Sequence, residues 1–508
     1  MMNLQALVKH RESNGCDVVL HYYDDKLLFY PVLNTIAKDL TIREKSLECS
    51  AKTKWVQKVV YNTAKLYADL PVDSKTVVGI TYQGFFHRIM KRILIAGLTF
   101  AIKDYRVANI ESKTFPAPRL DLMKGFRFSQ EQLLTDALIQ NSSGLIGAPT
   151  RYGKTTLMIN TLRAYPDLTT VVIAPGVDLV KQLYADLLGP RGLDPGREVK
   201  LICGSKGKKP AGPGSVTVCS ADSLNKIDPG TIDLILADEP HALVTESRLR
   251  LVDAFPKARR IGFGATLKGR FDGRDQLIEG VFGHVLVERT YKEAVEEGAI
   301  CPLHILFLKV EVEPRFFRDR NSAYNSILFH SQSAAALAAD ICKDVIPADF
   351  QTMIFVKDEK QAELLQETIG RDTTIAMAKR MTNKEREECD RLMKENIIKR
   401  CLCTKIYVQG VTFSDVRVLV NLEGGGNNTS AIQKPGRLAE IRPDKKCGIV
   451  IDLLFVPPGN EWGDYAGEEW IALCRDSKAR KTAYEEKGYD ITVVNNVQQL
   501  KEKFDELI

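Results

Sequence analysis

Two short segments hold residue types whose spacing suits phosphate chemistry. The first, Ala148-Pro-Thr-Arg-Tyr-Gly-Lys-Thr155, follows a short strand-like run and precedes a helical stretch over 156–162. It reads as a phosphate-binding loop with alanine where the first glycine usually stands. Gly153 would let the backbone approach phosphate oxygens, whose charge is met by the amides that open a helix. Lys154 would reach the β- and γ-phosphates and the Thr155 hydroxyl would hold Mg²⁺, with Thr150 and Thr156 flanking the same phosphates. A chance glycine turn ahead of a helix is the competing reading of the loop taken alone. The second segment, Thr231-Ile-Asp-Leu-Ile-Leu-Ala-Asp-Glu-Pro-His241, ends a buried strand on an acidic pair. In an open α/β sheet, ligands bind at the C-terminal edge of the strands, so these carboxylates would face the loop. Asp238 would order the Mg²⁺ shell, and Glu239 would position or deprotonate an attacking water. An acidic pair buried without a metal or polar partner is costly, which argues against a purely structural role. ATP and Mg²⁺ are the expected cofactors.

Such a site needs parallel strands to hold it. Nearly continuous apolar runs at 171–174, 216–219, 232–237 and 260–263 suit a parallel sheet covered on both faces. A second series follows at 353–356, 374–377, 401–404, 416–421 and 448–453. The expected fold class is α/β: two tandem RecA-like parallel-sheet lobes at 120–290 and 291–455, with an α+β accessory domain at 1–115. A charged helical tail is expected at 456–508. Phe115-Pro-Ala-Pro-Arg119 reads as the linker between accessory domain and first lobe, because each proline lacks an amide donor and restrains its predecessor.

Composition narrows the class. With 508 residues, 44% apolar and 27% charged, the chain has the make-up of a folded multidomain protein. No apolar stretch approaches the roughly 18–20 residues of a membrane span, and the first residues lack a secretory pattern, so a cytoplasmic location is expected. The eleven cysteines are scattered without C-x-x-C pairs, which suggests neither a zinc site nor a disulfide framework. The net charge of +6 is unevenly spread: residues 1–120 carry 18 Lys and Arg against 11 Asp and Glu, leaving 53 against 54 for the rest. A basic block on a neutral body suggests a polyanionic partner, although a lysine-rich solvated surface would look the same.

These motifs and their order resemble the superfamily 2 helicases of the DExH type over about residues 126–452. The resemblance implies further roles. Phe126-Arg-Phe-Ser-Gln130 is similar to the segment that reads adenine, with Gln130 on the base and Arg127 beside it. Residues 175–182 and 218–224 resemble strand-contacting motifs. Gly264-Ala-Thr266 stands where the family usually has Ser-Ala-Thr, coupling hydrolysis to nucleic-acid binding. Thr404 with Gln409-Gly410-Val411 resembles motif V, although Thr412 replaces its acidic residue. Gln433-Lys-Pro-Gly-Arg437 resembles motif VI, whose arginines reach the γ-phosphate. The family's second arginine falls at Glu440, and Arg442 lies two residues on. Either Arg442 is displaced into that role, or Arg437 works alone, or ATPase activity is lost.

The resemblance leaves the substrate open. Thr217, Ser220, Arg270 and Thr404 are its candidate strand contacts. Lys52, Lys54, Trp55, Lys58, Tyr61 and Lys65 fall near helical spacing and mix cations with aromatics, as junction contacts can, or place Trp55 in a core with lysines outside. The basic, glycine-rich 204–214 could touch phosphates or be a solvated turn. The segments 82–85 and 92–100 resemble the end of the N-terminal domain in bacteriophage UvsW-type helicases, which remodel branched DNA such as stalled forks and Holliday junctions. Branched or single-stranded DNA is the expected partner. An RNA-directed ATPase and the motor subunit of a larger complex remain open.

Overall fold

The computed structural model describes residues 4–50, 53–106, 115–202, 212–243, 245–265, 267, 274–370, 372–377, 381–404, 415–426, 432–460 and 470–508, with only the backbone between 43 and 62. The chain divides into two compact units: Met1–Leu47, Val59–Ala148 and Gly153–Arg289 form one, and Glu48–Lys58, Pro149–Tyr152 and Thr290–Ile508 the other.

The first unit holds a seven-stranded parallel sheet. Its strands run in the order Val199–Ile202, Val216–Ser220, Thr170–Ala174, Leu234–Asp238, Arg259–Gly264, Gly144–Gly147 and Val285–Glu288. Parallel pairing brings every C-terminal strand end to one edge. The central strands are apolar at consecutive positions because helices cover both faces: Val171 to Ala174 and Leu234 to Ala237 are fully buried.

The second unit repeats the plan. Thr373–Ala376, Arg400–Cys403, Gln351–Phe355, Val416–Asn421, Gly448–Val456, Leu303–Glu311 and Asp490–Val494 form its seven-stranded parallel sheet. The sequence did not single out four of the fourteen strands. Three, Val199–Ile202, Val285–Glu288 and Asp490–Val494, are sheet edges with partly exposed residues, which shortens or breaks the apolar run. The segment after 456 is therefore not only helical. Asp490–Val494 pairs with Leu303–Glu311, and the helix Val497–Leu507 buries Leu500 and Phe504 in the second unit's core.

The N-terminal region has a five-stranded mixed sheet: Tyr67–Pro71, Val77–Tyr82, Lys26–Tyr30, Val18–Tyr22 and Phe100–Asp104. Thr41–Ser50 and Thr53–Lys65 pair as a separate two-stranded ribbon. This corrects the helical spacing read between Lys52 and Lys65. Thr53, Trp55, Val56, Val59, Val60 and Tyr61 are β-branched or aromatic, and that enrichment outweighs the three-to-four-residue spacing of Lys54, Lys58, Tyr61 and Lys65. Lys54 lies on the second strand, and Lys52 falls outside the described residues.

This region is not a detachable appendage. Phe85, Ile89 and Ile93 share one hydrophobic cluster with Leu277, Ile278, Val281 and Phe282 of the helix Asp275–Phe282, which flanks the first unit's seven-stranded sheet. Two glycines permit the approach: a Cβ on Gly84 would lie 2.2 Å from the Glu279 carbonyl, and one on Gly280 would lie 2.9 Å from the Phe85 ring. Arg88 donates twice to the Glu279 carboxylate, at 3.2 and 2.5 Å. The His87 and His284 rings lie 3.9 Å apart across the same seam.

That ring pair makes a pH-dependent joint. Burial, then the neighbouring His284, lowers His87 to about 4, and burial lowers His284 against the opposing pull of Glu279. In the unfolded chain both titrate near ~6.5. Their neutral folded forms contribute stability that is present above that value and lost as pH falls toward about 4. The melting temperature should fall between pH 7 and 5, and His87→Gln should shrink that fall. His21, also lowered to about 4 by burial, adds in the same sense, so some slope remains. An unchanged pH slope in His87→Gln would refute the joint.

Candidate active site

The strand Gly144–Gly147 and the helix Lys154–Ala164 hold the phosphate loop between them. Gly153 opens the helix at φ +100°, a left-handed conformation that side chains rarely adopt. A Cβ there would also lie 2.5 Å from Gln130 Nε2. The two residues that the sequence assigns to phosphate and adenine thus adjoin. Gln130 is buried at the start of the helix Gln130–Leu138, and its Oε1 accepts from the Arg127 amide at 2.9 Å, while the Arg127 side chain is exposed. Thr155 and Thr156 are half-buried on the first helical turn, and Thr150 lies in the preceding loop. The Ala148 amide donates to the Gly264 carbonyl at 3.0 Å, tying the loop to the neighbouring strand end.

Asp238 is the last residue of its strand, and Glu239 turns the chain with φ +51° ahead of Pro240. A non-glycine residue held there costs of order 1–3 kcal/mol, a strain that concentrates at functional sites. The Glu239 amide donates to the Phe263 carbonyl at 2.8 Å, which helps fix the turn. Lys154 Nζ lies 3.3 Å from Glu239 Oε1, and His241 Nδ1 lies 3.3 Å from Oε2. Burial alone would raise the Glu239 carboxyl, but Lys154 and His241 outweigh it and keep the group ionised. Asp238 moves up, through burial and then the Glu239 charge beside it. Two carboxylates thus titrate apart, the pattern expected of paired acid–base groups. Glu239 Oε2 is buried, with His241 Nδ1 beside it at 3.3 Å. The Thr155 hydroxyl and the Asp238 carboxylate are hard oxygen donors and fit Mg²⁺.

Gly264 adjoins Pro240, Leu267 and the Glu239 carboxylate. A Cβ there would lie 3.0 Å from Leu267 Cδ2, 3.3 Å from Pro240 Cδ and 3.8 Å from Glu239 Oε2. His241 is a neighbour of Glu239 that the motifs did not point to, although it lies only two residues further on.

In the second unit, Arg437 sits on a single 3₁₀ turn, Pro435–Leu438, with its amide donating to the Lys434 carbonyl at 3.0 Å. Arg442 is not on that turn. It pairs across a tight bend with Lys445, and its guanidinium lies 2.8 Å from Asp415.

The strand contacts divide. Thr217 is 1% exposed inside its strand, so it cannot touch a nucleic acid; β-branched side chains at alternate strand positions point into the helical cover. Ser220 lies at the end of that strand, with its hydroxyl 3.1 Å from that of Ser223. Thr404 is half-exposed just past Arg400–Cys403. Thr266, Arg270, Gly410 and most of 204–214 lie outside the described residues.

Residues 123–269 match the family described as Type III restriction enzyme, res subunit, and residues 338–442 match the helicase conserved C-terminal domain. In this order, on two seven-stranded parallel sheets, the two matches support an ATP-dependent helicase of superfamily 2. A protein of the Sulfolobus islandicus filamentous virus (isolate Iceland/Hveragerdi), named there as a helicase, is 21% identical over 238 residues, 44% of this chain and 42% of that one. The chain therefore matches less than half the length of that relative. The DNA 3'-5' translocase XPB2 of Sulfurisphaera tokodaii is 22% identical over 359 residues, 63% of this chain and 79% of that one. The structure of T4 UvsW aligns over 94% of this chain and 99% of that one at 13% identity, with a TM-score of 0.40.

Proposed function

We propose that the chain is a DNA motor that couples ATP hydrolysis to remodelling of branched DNA, by fork reversal and Holliday-junction branch migration, in replication, recombination or repair. Its place of action is the cytoplasm, or the host cytoplasm if the chain is viral. No helix among the described residues is long and apolar enough to cross a membrane. The observation that carries the reading is the Lys154–Glu239–His241 constellation on a sheet whose core is shared with the basic N-terminal region. Force generated at the nucleotide would pass to that region through packed side chains rather than through a linker.

In this mechanism Gly153 and the helix amides cradle the phosphates, Lys154 leaves Glu239 for the γ-phosphate, and Glu239 takes a hydrogen bond from the attacking water. Mg²⁺, held by Thr155 and Asp238, would neutralise developing charge on the phosphate oxygens. Arg437 supplies the further cation. Contacts to the DNA backbone make the motor insensitive to sequence and sensitive to salt.

The test is which polymer stimulates ATP turnover. A four-way junction should exceed single-stranded DNA of equal length, and RNA should stimulate least; RNA above both would favour the RNA-directed reading. Deleting residues 1–115 would expose Leu277, Val281 and Phe282, so charge removal is the informative variant. Lys52→Gln, Lys54→Gln and Lys58→Gln together should weaken junction binding at least ~10-fold and flatten its salt slope by about 3. A junction affinity and slope equal to wild type would remove the ribbon from the binding surface.

A further inference from the structure

We propose that Arg480, on the helix Ile471–Lys487 and outside every helicase motif, is a positioning residue for Arg437. The inference rests on the reading of Arg437 as the arginine that meets the γ-phosphate. The helix reaches the Arg437 turn through a buried chain of charges. Arg480 is 3% exposed and donates from Nε and Nη2 to the two oxygens of Asp452, at 3.0 and 2.8 Å. Asp452 is fully buried and also accepts from Asn421 Nδ2 at 2.9 Å and from the Tyr484 hydroxyl at 3.3 Å. Asn421 Oδ1 accepts from Lys434 Nζ at 2.9 Å, and Lys434 is ion-paired to Glu423 at 2.7 Å. Lys434, 3% exposed, is the residue whose carbonyl receives the Arg437 amide.

The far end of the turn is held as well. Lys445 Nζ donates to the Leu438 carbonyl at 2.5 Å and to the Val416 carbonyl at 3.0 Å. Arg480 grips one more element: its Nη1 donates to the Gly425 carbonyl at 2.5 Å and its Nη2 to the Leu453 carbonyl at 3.1 Å. Gly425 belongs to the loop that leaves the strand Val416–Asn421.

Two cations and an anion, all buried, with Glu423 10% exposed beside them, make a costly way to hold a fold. Replacing such a set with apolar side chains is often neutral or stabilising, so its retention fits a role in fixing one geometry. The network ends on the turn whose arginine must be aimed. A guanidinium suits the junction because its planar fork meets the Asp452 carboxylate and two carbonyls at once, which an ammonium cannot do.

The experiment is a double-mutant cycle on the full chain, read as kcat and KM for ATP in the presence of saturating DNA, with melting temperature as the control for folding. Arg480→Lys should lower kcat at least ~10-fold with KM within ~2-fold, because positioning acts on the transition state. In an Arg437→Ala background the same substitution should cause less than ~2-fold further loss, because Arg480 acts through Arg437. If Arg480→Lys does not fold, the charge-neutral pair Asp452→Asn with Arg480→Gln takes its place, with the same expectations. A full, additive loss in the Arg437→Ala background, or no loss of kcat in the wild-type background, would overturn the proposal. If Arg437→Ala alone leaves kcat unchanged, the reading of Arg437 fails instead.

Discussion

ATP turnover should fall at least ~10³-fold when Lys154 is replaced by alanine or Glu239 by glutamine, because phosphoryl-transfer catalysis consists mostly of positioning and charge stabilisation. The two variants should fail differently. Lys154→Ala removes the cation that meets the phosphates, so affinity for a fluorescent ATP analogue should fall with turnover. Glu239→Gln keeps the shape of the side chain and frees Lys154 from a carboxylate 3.3 Å away, so ATP should bind at least as tightly while hydrolysis stops. The Glu239 backbone, at φ +51° ahead of a proline, is unchanged by that substitution, so the strained turn that aims the side chain persists. Near-normal turnover in either purified variant would dismantle the site.

What the sequence disclosed depended on how local the physics was. The phosphate loop, the acidic pair and the buried central strands other than Leu303–Glu311 were legible because each is a short run of residue types with one physical purpose. Four strands were not. The edges Val199–Ile202 and Asp490–Val494 lack the double-sided burial that makes a strand read as apolar. The strand Thr53–Lys65 was misread because Lys54, Lys58, Tyr61 and Lys65, three to four residues apart, mimic a helix face, whereas its Val and aromatic content belongs to a strand. Thr217 was placed on the nucleic acid by likeness to a motif, and burial decides otherwise. The union of the N-terminal region with the first lobe could not be read at all. It depends on Gly84 meeting the Glu279 backbone, a contact between residues 195 apart that leaves no local pattern.

The arginine chemistry of the second unit gives the other large expected effect. Arg437→Ala should lower kcat by ~10³-fold or more with little change in ATP affinity, since an arginine that meets the γ-phosphate acts on charge that develops in the transition state. Arg437→Lys should recover only part, because an ammonium offers a point charge without the planar fork. Arg442 is the sharper comparison. It lies beyond the 3₁₀ turn, and its guanidinium is paired with Asp415 at 2.8 Å. On the displaced-arginine reading, Arg442→Ala lowers kcat at least ~10-fold, and Asp415→Asn, which releases the guanidinium, does not. The ion pair is partly exposed, with side-chain exposures of 35% and 22%, so breaking it costs no more than about 1 kcal/mol and neither variant should unfold the lobe. If Arg442→Ala retains wild-type kcat while Arg437→Ala loses it, the pair with Asp415 only stabilises the bend, and Arg437 carries the charge stabilisation alone.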